Sequence, residues 1–389
     1  MQKIKIVTGA SYGDEGKGLA ADFLASRAEG PVVNVLTNGG PQRGHTVELE
    51  DGRRHVFKHF GAGTFRGAGT YFAGQFMVNP MEFVSEYAVL ADMHAAPSAC
   101  ADPSCRVTTP WDMLVSQFLA GKNGAHNTCG YGIWETLVRY ERLCGLTFGV
   151  LAGMTPDERH GYLRSLRDGY FIRRMEELGL HGWLQDNADY AEIFFSDGLI
   201  RHYEEDLETM LTLCPAGNFP AGCGTVIFEN AQGLLLDGNR KEDEEYTTPS
   251  TTGIGRVLQT VERRFRGADV EAVYVTRSYL TRHGDGPMEN EIGKDMLGSV
   301  LPGVSPDLTN GTNPFQGSLR YGLPDERKLA GRIAADFGKT AGAENNRYGC
   351  SVLVTHLNER GLDTGLVADA AGCSVYLSDG RTAKDVYRA

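Results

Sequence analysis

Several things are scarce in this sequence, and each scarcity closes a class of function. No apolar run reaches the ~18 residues that a membrane span requires, so no membrane partner is expected. The opening MQKIKIVTGA turns polar at once and lacks the apolar stretch and small-residue cleavage site of a secretory leader. Eight cysteines are scattered without a CxxC pair or a Cys/His cluster. That pattern points to reduced thiols in a cytoplasmic protein rather than to a disulfide framework or a zinc site. Positive charge is short as well. Against 50 Asp and Glu stand 38 Lys and Arg, a net charge of −12, which excludes a broad nucleic-acid surface while leaving room for a local basic pocket. No internal repeat and no low-complexity tract is present.

What is plentiful is glycine, 50 of 389 residues, as in chains with many tight loops near ligands. KIKIV, PVVNVLTN, GTVIFENAQGLLLD, VEAVYVTRSYLTR and CSVLVTHL read as strands. KGLAADFLASRA, PMEFVSEYAVLADM and IWETLVRYERL have helical spacing, and VELEDGRRHVFKHF reads as a hairpin about Asp51-Gly52. GNRKEDEEYTTPSTTG reads as a mobile loop. Strands alternating with helices predict an α/β fold: one large domain over 1–389, its central, mainly parallel sheet flanked by helices. A helical insertion is expected at about 155–213. Ligands should collect at the carboxyl ends of the strands.

The stretch VTGASYGDEGKG (7–18) follows the first strand and opens a helix. A Walker P-loop would have Gly at the position of Ser11 and a hydroxyl residue at Gly18, so this is a different phosphate loop. Its backbone N–H groups and the helix N-terminus can still hold phosphate. Asp14 or Glu15 would repel that phosphate unless the acid binds a cation or takes a proton from the reacting group. A second loop, NGGPQRGHT (38–46), also follows a strand and brings His45 to the same sheet edge.

Together GDEGKG and Gly44-His45-Thr46 resemble the two signatures, GDEGKG and GGxNAGHT, of the adenylosuccinate synthetase family; Pro41, Gln42 and Arg43 depart from the second. FENAQGLLLD, YTTPSTTGIG and YVTRSYLTRHGDGP are similar to further family segments, in the same order. The resemblance implies a ligase that phosphorylates the 6-oxo group of a purine 5′-monophosphate and displaces that phosphate with L-aspartate. It implies Asp14 as the base that takes the purine N1 proton, and His45 as the group that supports charge on the transferred phosphoryl. Mg²⁺ is implied at the Asp14 carboxylate and the Gly44 carbonyl. The donor phosphates are expected on Gly13, Lys17, Thr46 and the N–H groups of Glu15, Gly16 and Gly18. The purine monophosphate is expected on Asn127, Thr128, Gln232 and Thr247. Arg139, near an arginine that crosses a subunit interface in this family, is expected to reach the same phosphate in a homodimer.

Other residues depart from the housekeeping pattern. The arginine-rich loop that holds aspartate in the family corresponds to LTNGTNPFQGSLRYGLPD (308–325), where Thr309, Asn310 and the single Arg320 must serve. Similar wording belongs to the phage branch of the family, which acts on dGMP on the way to 2-aminoadenine nucleotides. That branch usually has serine at Asp14, but a carboxylate can accept from both N1–H and the 2-amino group of guanine. The family's guanine-reading TKxD is THLN here. Asn358, with one acceptor and one donor, suits the adenine edge, so ATP or dATP is the expected donor, with Ser378 and Gly380 flanking the base. The alternatives are the IMP- and GTP-using synthetase, and a nucleotide-binding regulatory module without ligase activity. Aspartate-dependent phosphate release separates the last from the others.

Overall fold

The computed structural model describes residues 2–123, 129–143, 145–220, 222–241, 244–304 and 317–389. Nine strands form its central sheet: β1 (Lys3–Gly9), β2 (Val32–Leu36), β3 (Gly69–Phe72), β4 (Ala99–Ala101), β5 (Thr225–Gly233), β6 (Asp269–Arg277), β7 (Arg347–Thr355), β8 (Ser374–Ser378) and β9 (Val386–Arg388). Their spatial order is β9-β8-β7-β6-β1-β5-β2-β3-β4. Every pairing is parallel except β8 with β9 at one edge. The mainly parallel α/β fold expected from the sequence is therefore present.

β1 lies at the centre and pairs with both β5 and β6. Central parallel strands are covered on both faces, and from Ile6 to Gly9 β1 is buried without a break. Ile4 and Ile6 of β1 face a core shared with the helices Gly255–Arg264, Glu326–Phe337 and Thr364–Ala371. Val7 faces the opposite core, with α1 (Lys17–Ser26), α2 (Pro80–Asp92) and α3 (Pro110–Asn123). α2 begins as its sequence dictates: Asn79 caps the N–H groups of Met81 and Glu82, and Pro80 occupies the first turn.

Helices between β4 and β5 begin earlier than the expected insertion at 155–213. α3 and α4 (Ile133–Leu143) precede a run of helices extending from Phe148 to Leu213. Their buried side chains, including Phe171, Met175, Tyr203 and Leu207, join the same core as α1 and α2. The GNRKEDEEYTTPSTTG stretch is anchored at its end, where the N–H groups of Thr252 and Gly253 donate to Asp237. The expectation that every thiol is reduced does not hold. Cys350 on β7 is disulfide-bonded to Cys373, which enters the neighbouring strand β8. The two are 23 residues apart in sequence, and only parallel pairing brings them together. Among the described residues no helix is long and apolar enough to cross a membrane.

Candidate active site

Six adjacent strands, β2, β5, β1, β6, β7 and β8, end at one rim, and the segments that follow them enclose a single cavity. Its wall includes Gly13 to Leu19 after β1, Gln42 to Thr46 after β2, and Gln232 at the end of β5. Arg277, Tyr279 and His283 come from β6 and beyond, Thr355, His356, Asn358 and Glu359 from β7, and Gly380 and Arg381 from β8. The carboxyl rim of a parallel sheet is where ligands bind in open α/β folds. Two non-glycine residues of this wall have left-handed backbones, Gln232 (φ 66°) and His356 (φ 61°). Strain of this kind costs of order 1–3 kcal/mol and gathers at functional sites.

In the opening loop the two acids have separate duties. Glu15 is buried, and its carboxylate turns back into the loop to accept from the N–H groups of Ser11 (2.6 Å) and Gly13 (3.3 Å). Burial pushes its carboxyl up to about 8, against the opposing Lys17 charge and those two N–H groups. Its side chain organises the loop from within. A Cβ on Gly9 would press on the Glu15 carboxylate and stand 2.7 Å from the Gln232 carbonyl oxygen, which is why glycine ends β1. Asp14 instead borders the cavity, its side chain about a quarter exposed. His283 Nε2 lies 3.2 Å from Asp14 Oδ2, and Arg277 Nε donates to the Asp14 carbonyl.

α1 follows Gly16, whose φ of 94° no β-carbon residue adopts readily, and no side chain caps its first turn. Its N-terminal end therefore keeps donors for an anion. Lys17 is buried there; burial lowers its pKa against the pull of Glu15 and Asp14. A Cβ on Gly18 would meet the Thr46 carbonyl at 2.4 Å, so glycine is what lets the two loops touch.

The second loop carries a triad that sequence reading missed. Glu229 of β5 has no exposed surface and accepts four bonds: Arg43 (2.6 Å), His45 Nδ1 (2.5 Å), Asn34 (2.9 Å) and the Ala62 N–H (3.0 Å). Burial alone would raise its carboxyl, but the Arg43 charge and these donors hold it down to about 2. His45 is pushed down to about 3 by burial and by Arg43. The site thus keeps an imidazole fixed through Nδ1 with Nε2 left for a ligand. Arg43 was visible only as a departure from the motif, and Glu229 only as part of FENAQG.

The cavity gathers Gly13, Asp14, Glu15, Gly16, Lys17, Gly18, Gly44, His45, Thr46, Gln232, Asn358 and Gly380. Ser378 sits behind the wall, fully buried, with its hydroxyl donating to the Gly380 carbonyl. Three expected residues lie elsewhere. Thr247 donates to the Glu244 carbonyl and takes no part in the wall. Arg320 is held by Glu291 (3.1 Å) and the Gly286 carbonyl (2.7 Å), and its neighbour Tyr321 lines the cavity instead. Arg139, expected to cross a subunit interface, is here held within its own chain: it is 1 % exposed, chelates Asp112 through Nε and Nη2, and donates to the Val107 carbonyl. An arginine so placed neutralises a buried acid between α3 and α4. Asn127, Thr128, Thr309 and Asn310 lie outside the described residues.

Among the described residues no three His, Cys, Asp or Glu side chains cluster to hold a metal. Asp14, whose carboxylate has one oxygen paired with His283, and Gly44 both line the cavity. That sparse oxygen set suits Mg²⁺, which keeps most of its water and takes one or two carboxylates plus substrate phosphates.

Comparison with known proteins identifies the family and the fold. The family model described as adenylosuccinate synthetase matches residues 6–313. The adenylosuccinate synthetase of Bacillus subtilis (strain 168) is 27 % identical over 322 residues, covering 80 % of this chain and 70 % of that protein. The one from Limosilactobacillus fermentum is 26 % identical over 314 residues, covering 76 % and 66 %. The chain thus spans about two thirds of the length of these curated relatives. The fold is shared with a fully ligated adenylosuccinate synthetase from Plasmodium falciparum (TM-score 0.68, 14 % identity, all of both chains). It is shared also with the cyanophage S-2L succinoaminodeoxyadenylate synthetase bound to dGMP and dATP (TM-score 0.64, 16 % identity, all of this chain and 95 % of that one).

Proposed function

The chain belongs to the adenylosuccinate synthetase family, and we propose that it is a Mg²⁺-dependent ligase joining L-aspartate to C6 of a purine 5′-monophosphate. The observation that carries this reading is the placing of Asp14, His45 and Lys17 on one cavity wall beside an uncapped helix start. An oxo group leaves poorly, so the reaction needs a base at the purine N1–H and a site for phosphoryl transfer to the 6-oxygen. Asp14 is the base. Lys17 and the N–H groups at the start of α1 hold the donor phosphates. His45, fixed through Nδ1 by Glu229, meets the charge that develops on the transferred group by donating Nε2–H as the imidazolium, a form that the charge of bound phosphates favours over the neutral ring of the empty site. When bound by Asp14 and the Gly44 carbonyl, Mg²⁺ supplies charge neutralisation between donor phosphates. Aspartate then displaces phosphate at C6.

The favoured acceptor is dGMP, with ATP or dATP as donor. The NPFQGSLRYG wording, and Asn358 in place of the aspartate with which the family reads guanine, support this choice. A second reading, IMP with GTP, is favoured by the intact Asp14 in GDEGKG. A homodimer is part of the proposal, without Arg139 as its bridging residue. The test is to offer IMP, GMP and dGMP with aspartate and each of ATP, dATP and GTP, measuring phosphate release and the succinylated product. Aspartate-independent nucleotide hydrolysis with no succinylated product would remove the ligase reading.

A further inference from the structure

The general base proposed above is gripped from a direction that none of the family motifs explains. β6 and the strand Leu280–Arg282 that follows it carry two groups onto the same residue. Arg277 donates to the Asp14 main-chain carbonyl, and His283 Nε2 stands 3.2 Å from Asp14 Oδ2. His283 replaces a valine in the TRVGxGP pattern that this segment resembles. Its side chain is largely enclosed, 18 % exposed, and its Nδ1 is buried without a hydrogen-bond partner. Asp14 is therefore the only hydrogen-bonding partner the ring has among the described residues. An imidazole with one nitrogen orphaned costs stability, and a plain apolar residue would fill the place without that cost. Such an arrangement persists where the remaining contact has a use.

We propose that His283 is a positioning residue for Asp14. The Nε2–H of His283 donates to Oδ2, fixing the plane of the carboxylate and leaving Oδ1 free to face the purine N1–H. A carboxylate that turns about both Cα–Cβ and Cβ–Cγ, about a quarter exposed in the cavity, would otherwise sample several orientations. Alignment of a base with the proton it removes is worth large factors in rate, since a misplacement of about 1 Å costs on the order of a hundredfold. The contact rests on geometry alone; its part in catalysis rests on the ligase reading given above.

The experiment compares His283→Leu with His283→Gln. Leucine fills the space without a donor, whereas the glutamine amide nitrogen can occupy the place of Nε2. His283→Leu should lower kcat by about ten- to a hundredfold with the donor-nucleotide KM within about twofold, and His283→Gln should recover most of that loss. Equal rates in the two variants, or a leucine variant as fast as the parent, would overturn the proposal. A second readout needs no turnover. In long-range ¹H–¹⁵N spectra the His283 Nε2 proton should be downfield and slow to exchange in the parent, and should lose both properties in Asp14→Ala. An unchanged Nε2 proton in Asp14→Ala would show that the bond does not exist. If the parent binds nucleotide and shows this proton but never forms a succinylated product, the contact stands and the ligase reading falls.

Discussion

Glu229→Gln removes a single charge from the most enclosed ionic group of the site, and the structure fixes what this should cost. The carboxylate accepts from Arg43 and His45 on one oxygen and from Asn34 and the Ala62 N–H on the other. An amide has one acceptor. Whichever way glutamine turns, its NH₂ faces two former donors, of which His45 or Asn34 alone can present an acceptor instead, so at least one bond is lost and the Arg43 guanidinium stays buried without its counter-charge. Breaking a buried pair in this way costs about 3–5 kcal/mol. The depression of the Glu229 carboxyl from 4.5 to about 2 corresponds to about 3 kcal/mol, which agrees. With unfolding entropy near ~2.1 cal/mol/K per residue, the melting temperature should fall by roughly 5 °C. Because the folded pKa is lowered, the stabilisation is present above the ordinary carboxylate range and is lost as pH falls from about 4.5 towards 2. Parent and variant should therefore converge in acid. Urea titrations at pH 7.5 and pH 3 measure both effects, and Arg43→Met combined with Glu229→Gln should regain part of the loss by removing the stranded charge. A Glu229→Gln midpoint equal to the parent's at pH 7.5 would refute the reasoning.

Asp14→Asn should leave the melting curve unchanged and lower ligation by ~10²–10⁴; activity within a few-fold of the parent would end the assignment of the base. Asn358→Asp should shift the ratio of kcat/KM for ATP over GTP towards GTP by roughly ten- to a hundredfold, the worth of one mispaired buried hydrogen bond. An unshifted ratio would mean that this position does not read the donor base. Gly18→Ala drives a methyl against the Thr46 carbonyl, so it should raise the donor KM sharply as the two loops part; normal donor binding in titration calorimetry would contradict that. Arg139→Ala strands Asp112 in the core and should destabilise the fold by about 3–5 kcal/mol. Its activity should not be restored by mixing with Asp14→Asn subunits.

The sequence by itself determined the parts whose causes are local. A strand, a glycine-rich turn and a helix start are consecutive in KIKIVTGASYGDEGKGLAADFLASRA, so the anion site at Gly16 to Gly18 was legible before any folding was considered. The central strands announced themselves as apolar runs because both their faces are covered. Gly44-His45-Thr46 could be placed at the same rim because it too follows a strand. Short outer strands such as Ala99–Ala101 and Val386–Arg388 have no run long enough to show a period, and they were not read. Only the tertiary structure decided the pairings. Glu229 meets His45 across 184 positions, and His283 meets Asp14 because β6 lies beside β1. Parallel neighbours set Cys350 against Cys373. Arg139, expected from the sequence to reach a phosphate across a subunit interface, forms a core ion pair with Asp112 of α3. The physical reason is common to all four. A side chain's chemistry is written in its type, but its charge state, orientation and exposure depend on partners that strand order and helix packing deliver from other parts of the chain.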